Sequence, residues 1–280
     1  MGNVVNINGQ LHPSDAPVLT MANRAFHYGD GVFETIRVAQ GRGCFLDAHW
    51  ARLMEGLRVL RIAMPSGLGR EALEKAIAEL AERNAMPQGR CRLTVYRDAP
   101  GLYRPEGNAG AFTLELHPMD HATYILNDRG FTVDIYPEMR KPVNLLSVHK
   151  TLGAQLFVMA SLWCIDRHLD NCLLQNDRGN IIEGNTGNMF IVSNGVLYTP
   201  PLTDGCLAGI MRMQVINIAL ENGIKVYESS LNPQNLLVAD ELFFTNAALG
   251  VQWVATYRTK RYGHRMALRL QDLLVKKVSG

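Results

Sequence analysis

Two periods of hydrophobic and polar positions run along this chain, and the switches between them outline its elements. VVNINGQL (4–11) has an Asn-Gly pair between two short strand-like pieces, the pattern of a compact hairpin. VFETIRV (32–38) alternates at period two, and a Gly-rich turn at 41–43 leads into a further strand. From His49 the period lengthens. Leu53, Leu57 and Leu60 recur at helical spacing, and a second helix fits 71–82. RCRLTVYR (90–97) and AFTLELH (111–117) are strands flanking the Pro/Gly loop APGLYRPEGNAG. This first part is strand-rich with a helical pair, an α+β layout.

Residues 118–128 are polar and turn-prone, so a small domain is expected over 1–118, a linker over 119–128 and a larger domain over 129–280. Beyond the linker, FTVDIYP reads as a strand, 153–168 as a long helix and CLLQN (172–176) as a strand. NMFIVSNGVLYTP is a hairpin with Asn-Gly at its tip. Helix over 210–221, extended IKVYESS, the buried strand ELFFTNAA and a last helix over 266–277 complete the second part.

Composition narrows the classes without naming a function. The 280 residues suffice for a well-buried core, and 47% hydrophobic with 19% charged residues is ordinary for a globular protein. A net charge of +2 and no concentrated basic stripe argue against a nucleic-acid partner. The densest basic cluster, Arg258, Lys260, Arg261, His264 and Arg265, reads as a solvated loop and helix start. The five cysteines are odd in number, and no C-x-x-C pair suggests a disulfide framework or a zinc site. No apolar run reaches membrane-spanning length, MGNVVNINGQ lacks a secretory pattern, and Asn6 replaces the Ser/Thr of a myristoylation motif. No membrane partner and a reducing cytoplasm are therefore expected.

Familiar motifs fail one by one. Gly29-Asp30-Gly31 begins a dinucleotide fingerprint, but Glu34 stands where a glycine is needed. Phosphate-loop, zinc-helix and serine-elbow patterns are missing, and His117 and His121 have no third ligand, so no metal is expected. What stands out is Lys150, just ahead of an amphipathic segment, and Glu183, which follows two isoleucines and opens a Gly/Asn-rich turn. One amine and one carboxylate suit pyridoxal 5'-phosphate: the amine holds its aldehyde and the carboxylate its ring nitrogen.

YGDGVFETIR (28–37), HWARL (49–53), HKTLG (149–153), IIEGNTGNMFIV (181–192), YTPPLTDGCLAGIMR (198–212) and VADELFFTNAALGV (238–251) stand in this order along nearly the whole chain. Together they resemble the class IV, or fold type IV, pyridoxal-phosphate enzymes: branched-chain and D-amino-acid aminotransferases, R-selective amine transaminases and aminodeoxychorismate lyase. The resemblance implies an α+β fold with a small α/β N-terminal domain and a larger cofactor-binding domain built on a β-barrel-like core. It implies a Schiff base on Lys150, whose amine also carries a proton. Glu183 is then the partner of the pyridine nitrogen, with Asn188 either supporting the cofactor or stabilising the turn. Arg52 is matched to the phosphate. Gly209, Ile210 and Met211 open a helix whose N–H groups face the same anion, although Met211 replaces a threonine hydroxyl of many relatives. Thr245, Asn246 and Ala247 complete the cup.

Substrate preference is less well marked. Gly153-Ala154-Gln155 lacks the tyrosine that follows the lysine in branched-chain enzymes, and Phe33 replaces the tyrosine of D-amino-acid enzymes. The loop RDAPGLYRP has no histidine, but Arg97, Tyr103 and Arg104 are candidates for a substrate carboxylate, alongside Phe33, Arg37 and Arg24; solvated loop arginines are the competing reading. In the family this loop reaches the neighbouring subunit's pocket, which implies a homodimer. The expected activity is amino transfer between an amino acid or amine and a 2-oxo acid. Pyruvate elimination to 4-aminobenzoate and a non-catalytic binding protein are the alternatives.

Overall fold

The computed structural model describes residues 3–279, so the Met-Gly opening weighed above lies outside the described residues. The chain divides into two compact units, Met1–Ala122 with His149–Gly153, and Thr123–Val148 with Ala154–Gly280. The first break falls inside 119–128. The return of the short piece around Lys150 to the first unit has no local sequence signal.

In the first unit β1 (Val4–Ile7) and β2 (Gln10–Pro13) form the hairpin, and Asn8 and Gly9 both take the positive φ that a tight two-residue turn needs. A short helix α1 (Arg24–Tyr28), capped by the Asn23 side chain, precedes β3 (Gly31–Ala39) and the two-residue β4 (Arg42–Gly43). Then come α2 (Leu46–Leu60), α3 (Arg70–Arg83), β5 (Gly89–Arg97) and β6 (Gly110–His117). The sheet order is β2-β1-β6-β5-β3-β4. Period-two alternation gives it two unlike faces. Val32, Ile36, Leu93, Val95 and Leu114 pack with Leu53, Leu57, Leu73, Ile77 and Leu80 of the two helices. The other face carries Phe33, Thr35, Arg37, Arg92 and Thr94, with Phe33 opposite Thr94 and Thr35 opposite Arg92.

Lys150 is not at a helix start. Its carbonyl accepts from Phe33 N–H at 2.9 Å, Leu152 N–H donates to the Gly31 carbonyl at 3.0 Å, and Thr151 bridges Val32. The lysine therefore lies on extended chain paired to β3, with its backbone fixed by a neighbouring strand.

The second unit begins with β7 (Phe131–Ile135), and the expected long helix is α4 (Gln155–Asp166). β8 (Asn171–Gln175), β9 (Ile181–Gly184), β10 (Asn188–Ser193) and β11 (Val196–Thr199) follow, then α5 (Ile210–Glu221), β12 (Val226–Glu228) and α6 (Pro233–Val238). β13 (Glu241–Asn246), β14 (Gly250–Tyr257), β15 (Lys260–Arg261) and α7 (Arg265–Ser279) close the chain. The main path is β12-β11-β10-β13-β14-β7-β8-β9, with β15 on β14. Its last strand returns to the third: Gly184 N–H donates to the Gly187 carbonyl at 2.8 Å, just before β10. The sheet is thus curled into a barrel-like wall. A Cβ on Gly184 would meet the Phe244 ring at 2.5 Å, so the tight closure requires glycine. No helix among the described residues is long and apolar enough to cross a membrane.

The first unit's sheet depends on packing at the centre of β5. Leu93 is fully buried there, so Leu93→Ala is expected to cost about 2–5 kcal/mol in denaturant unfolding; a loss under ~1 kcal/mol would contradict this packing.

Candidate active site

On the polar face of the first unit, the Lys150 ammonium lies 4.4 Å from the centre of the Phe33 ring, and the Arg92 guanidinium carbon 4.0 Å from the same centre. Both cations are held against one aromatic quadrupole. The opposite face, toward α2, buries a carboxylate. Glu34 receives Arg52 Nε on Oε1 at 2.8 Å and Arg52 Nη2 on Oε2 at 2.5 Å, and His49 Nδ1 stands 2.6 Å from Oε2. His49 and Arg52 share one helix face because they are three residues apart. Burial by itself pushes the Glu34 carboxyl up. The Arg52 charge and the hydrogen bonds from His49 and Arg52 outweigh it and bring the group down to about 2. The Arg52 fork is oriented by this carboxylate.

Arg97 is committed elsewhere. Its Nε donates to Asp30 at 2.9 Å, Nη1 to the Arg61 carbonyl and Asn108 Oδ1, and Nη2 to the Leu60 carbonyl. It places a cation on the C-terminal carbonyls of α2 and braces the loop that follows β5. Arg24 shares Asp30 Oδ2 at 2.8 Å and holds the Gly101 and Leu102 carbonyls. Arg37 is buried, with Nη2 on the His121 carbonyl and Nη1 toward Met119 sulfur. Tyr103 and Arg104 are exposed at the loop tip, the Tyr103 ring 5.4 Å from Tyr28.

In the second unit, Glu183 is buried and held from two sides. Lys141 Nζ donates to Oε1 at 2.6 Å and the Leu207 amide to Oε2 at 2.8 Å. Asn188 Nδ2 donates to the Leu207 carbonyl at 2.8 Å, so the carboxylate and the amide brace one backbone segment. That segment leads to Gly209, the N-cap of α5, where no side chain caps the helix. A Cβ on Gly209 would stand 1.8 Å from Asn188 Oδ1, so any other residue here must displace the Asn188 side chain. Thr245 pairs with Asn188 in register, and its Oγ1 is buried without a hydrogen-bond partner. Ile210 and Met211 bury their side chains and leave their contribution to the backbone. Asn246 spends its side chain on the Thr186 carbonyl and on the Ala248 and Leu249 amides, while the Ala247 carbonyl accepts from Tyr124.

A model of the family described as amino-transferase class IV matches residues 31–257. The chain belongs to the class IV aminotransferase family. It is 29% identical over 261 residues to the branched-chain-amino-acid aminotransferase of Pseudomonas aeruginosa, covering 89% of this chain and 82% of that one. It is 27% identical to the aminodeoxychorismate lyase of Vibrio harveyi, covering 82% and 84%. A solved branched-chain aminotransferase of the archaeon Thermoproteus uzoniensis, with norvaline, superposes with a TM-score of 0.89 at 26% identity, covering 97% of this chain and 93% of that one.

Class IV aminotransferases depend on pyridoxal phosphate, and the donor sets fit that group. An uncapped helix start of the 12-residue α5, cleared of a Cβ at Gly209 and flanked by the orphan Thr245 hydroxyl, suits a phosphate. Glu183 suits a ring nitrogen, and Lys150 is a primary amine on a fixed backbone. Lys141 and Leu207 on Glu183, Glu34 on Arg52, and Arg92 were not read from the sequence. The i, i+3 spacing of His49 and Arg52 carried part of that information.

The depressed Glu34 carboxyl makes stability depend on acid. Because the folded group sits at about 2 against 4.5 for an ordinary one, its contribution is complete above pH 4.5 and is lost as pH falls toward 2. Unfolding free energy of the native chain should fall across that window by about 3 kcal/mol on account of this group, and Glu34→Gln should flatten the slope; equal slopes would refute the assignment.

Proposed function

We propose that this member of the class IV aminotransferase family moves an amino group between an amino acid, or an amine, and a 2-oxo acid, using pyridoxal phosphate held on Lys150. The observation that carries the reading is the Lys150 amine, set against the Phe33 ring on chain pinned to β3. When bound, the cofactor supplies an aldehyde for the amine and a ring that takes up electron density from the carbon losing its proton. Lys150 holds that aldehyde and, once released by the incoming amine, carries the proton at Cα. Glu183 keeps the ring nitrogen protonated, and its fixed oxygens need no rearrangement to do so. The amides at the start of α5 and the Thr245 hydroxyl bind the phosphate, with Asn188 shaping the cradle around Gly209 and with Asn246 and Ala247 closing it by their backbone. Arg52, oriented by Glu34, adds a guanidinium for the same anion.

For the substrate carboxylate, Arg92 is the better-placed arginine, because it shares the Phe33 ring with Lys150, whereas Arg97 gives its donors to the protein. Arg37 lies on the same face as Phe33, which makes it a second candidate. The exposed Tyr103 and Arg104 suit a neighbouring subunit's substrate, so a homodimer belongs to the same reading. A cytoplasmic setting agrees with five cysteines outside disulfides. The lyase relative favours a second reading, elimination of pyruvate with release of 4-aminobenzoate. Keto-acid-dependent amino transfer against production of those two compounds separates the readings.

The purified protein with pyridoxal phosphate should absorb in the visible, and borohydride should fix the cofactor on the peptide carrying Lys150. Lys150→Ala should lose about a hundredfold to ten-thousandfold in turnover; a colourless variant that transaminates at the native rate would end the reading. Gly209→Ala should weaken cofactor binding by about tenfold in a fluorescence titration, since its Cβ displaces Asn188 from the cradle; unchanged affinity would remove α5 from the phosphate site.

A further inference from the structure

The pairing of Lys141 with Glu183 has no counterpart among the residues expected for this site. Lys141 is placed by its backbone: its amide donates to the Gln175 carbonyl at 2.9 Å, and the residue bridges Asn176 beyond the end of β8. From there the ammonium reaches Glu183 Oε1 at 2.6 Å, with the lysine side chain only 12% exposed and its partner 3% exposed. The Phe157 ring centre lies 5.8 Å from the same ammonium. A carboxylate buried this deeply calls for a counter-charge or hydrogen bonds, and the lysine supplies the charge.

Position and charge are separable here. Glu183 stands on β9, paired to β8 opposite Leu174, and its Oε2 is fixed by the Leu207 amide at 2.8 Å. The strand and the amide hold the carboxylate in place without the lysine. What the ammonium adds is a positive charge next to the group assigned to the ring nitrogen. A protonated ring nitrogen is a second cation at the same carboxylate, and two cations sharing one anion weaken each other's hold.

We infer that Lys141 is a positioning residue of the electrostatic kind: it neutralises Glu183 and thereby limits how strongly that carboxylate grips and protonates the ring nitrogen of the cofactor. The inference rests on the cofactor reading above. The buried Cys206 thiol, pushed up to about 12 chiefly by burial, senses Arg212, Glu183, Lys141 and Glu228. Arg212 is itself paired with Glu228 at 2.5 Å.

Lys141→Met keeps the aliphatic stem and removes the charge, and Lys141→Arg keeps the charge. Apo protein of each variant is titrated with pyridoxal phosphate by fluorescence, and the bound cofactor's visible band is followed against pH. Relative to the native chain, Lys141→Met should bind the cofactor about threefold to tenfold more tightly, and its spectral midpoint should move to higher pH, because loss of a nearby cation favours the protonated cofactor. Lys141→Arg should match the native chain. In a Glu183→Gln background, Lys141→Met should no longer tighten binding. A purely structural lysine predicts weaker binding by Lys141→Met with an unmoved midpoint, and that result overturns the inference while leaving the cofactor reading intact. If the methionine variant does not fold, the same two readouts on Lys141→Gln decide the question. Absence of any titration by the native protein overturns the cofactor reading and this inference with it.

Discussion

A carboxylate taken out of water must be met by opposite charge or by several hydrogen bonds, and in each unit of this chain one such group bears on the proposed chemistry. In the first, Glu34 is buried under the sheet and held by the Arg52 fork and by His49. In the second, Glu183 is buried in the wall of the curled sheet and held by Lys141 and the Leu207 amide. Each arrangement fixes a side chain that the proposed chemistry needs. Glu34 sets the direction of an arginine, and Glu183 is itself the group set in place. Neither acid has freedom to reorient, which is what electrostatic preorganisation requires.

The proposed anion cradle is built with less charge. At the start of α5 the contribution comes from backbone amides, and the neighbouring residues keep that backbone open. Gly209 has no Cβ because Asn188 Oδ1 stands where one would be, and Asn188 in turn grips the Leu207 carbonyl. The same Leu207 residue donates its amide to Glu183. Acid and cradle are therefore tied through one residue's two backbone groups, and the spacing between them is covalent.

Much of this was legible from local pattern. The period-two runs at β3, β5 and β6, the Asn-Gly hairpins and the leucine spacing of α2 all correspond to elements, because each carries its signal within a few residues. Short elements were harder. α1 and α6 span five and six residues, too few for a period to emerge, and they rest on Asn23 and Asn232 caps instead. The extended setting of Lys150 was illegible for a different reason. Its pairing partner is β3, more than a hundred residues earlier, and the five-residue piece between Val148 and Ala154 has no period of its own. Lys141 was hidden likewise, since its acid lies 42 residues away across a strand pair.

The two arginines of β5 show how far parity alone can decide a role. Arg92 and Arg97 are five residues apart on one strand, an odd separation, so their side chains leave opposite faces of the sheet. Arg97 shares its face with Leu93 and Val95 and so meets the α2 terminus, where the carbonyls of Leu60 and Arg61 draw a cation. Arg92 shares its face with Phe33 and so stands with Lys150 on one ring. The same residue type thus becomes a helix brace at one position and a candidate carboxylate clamp at the other. Arg97 gives its donors to protein carbonyls, Asn108 and Asp30, whereas Arg92 faces the same ring as the amine. Any assignment of substrate-binding arginines in this chain has to begin from that parity.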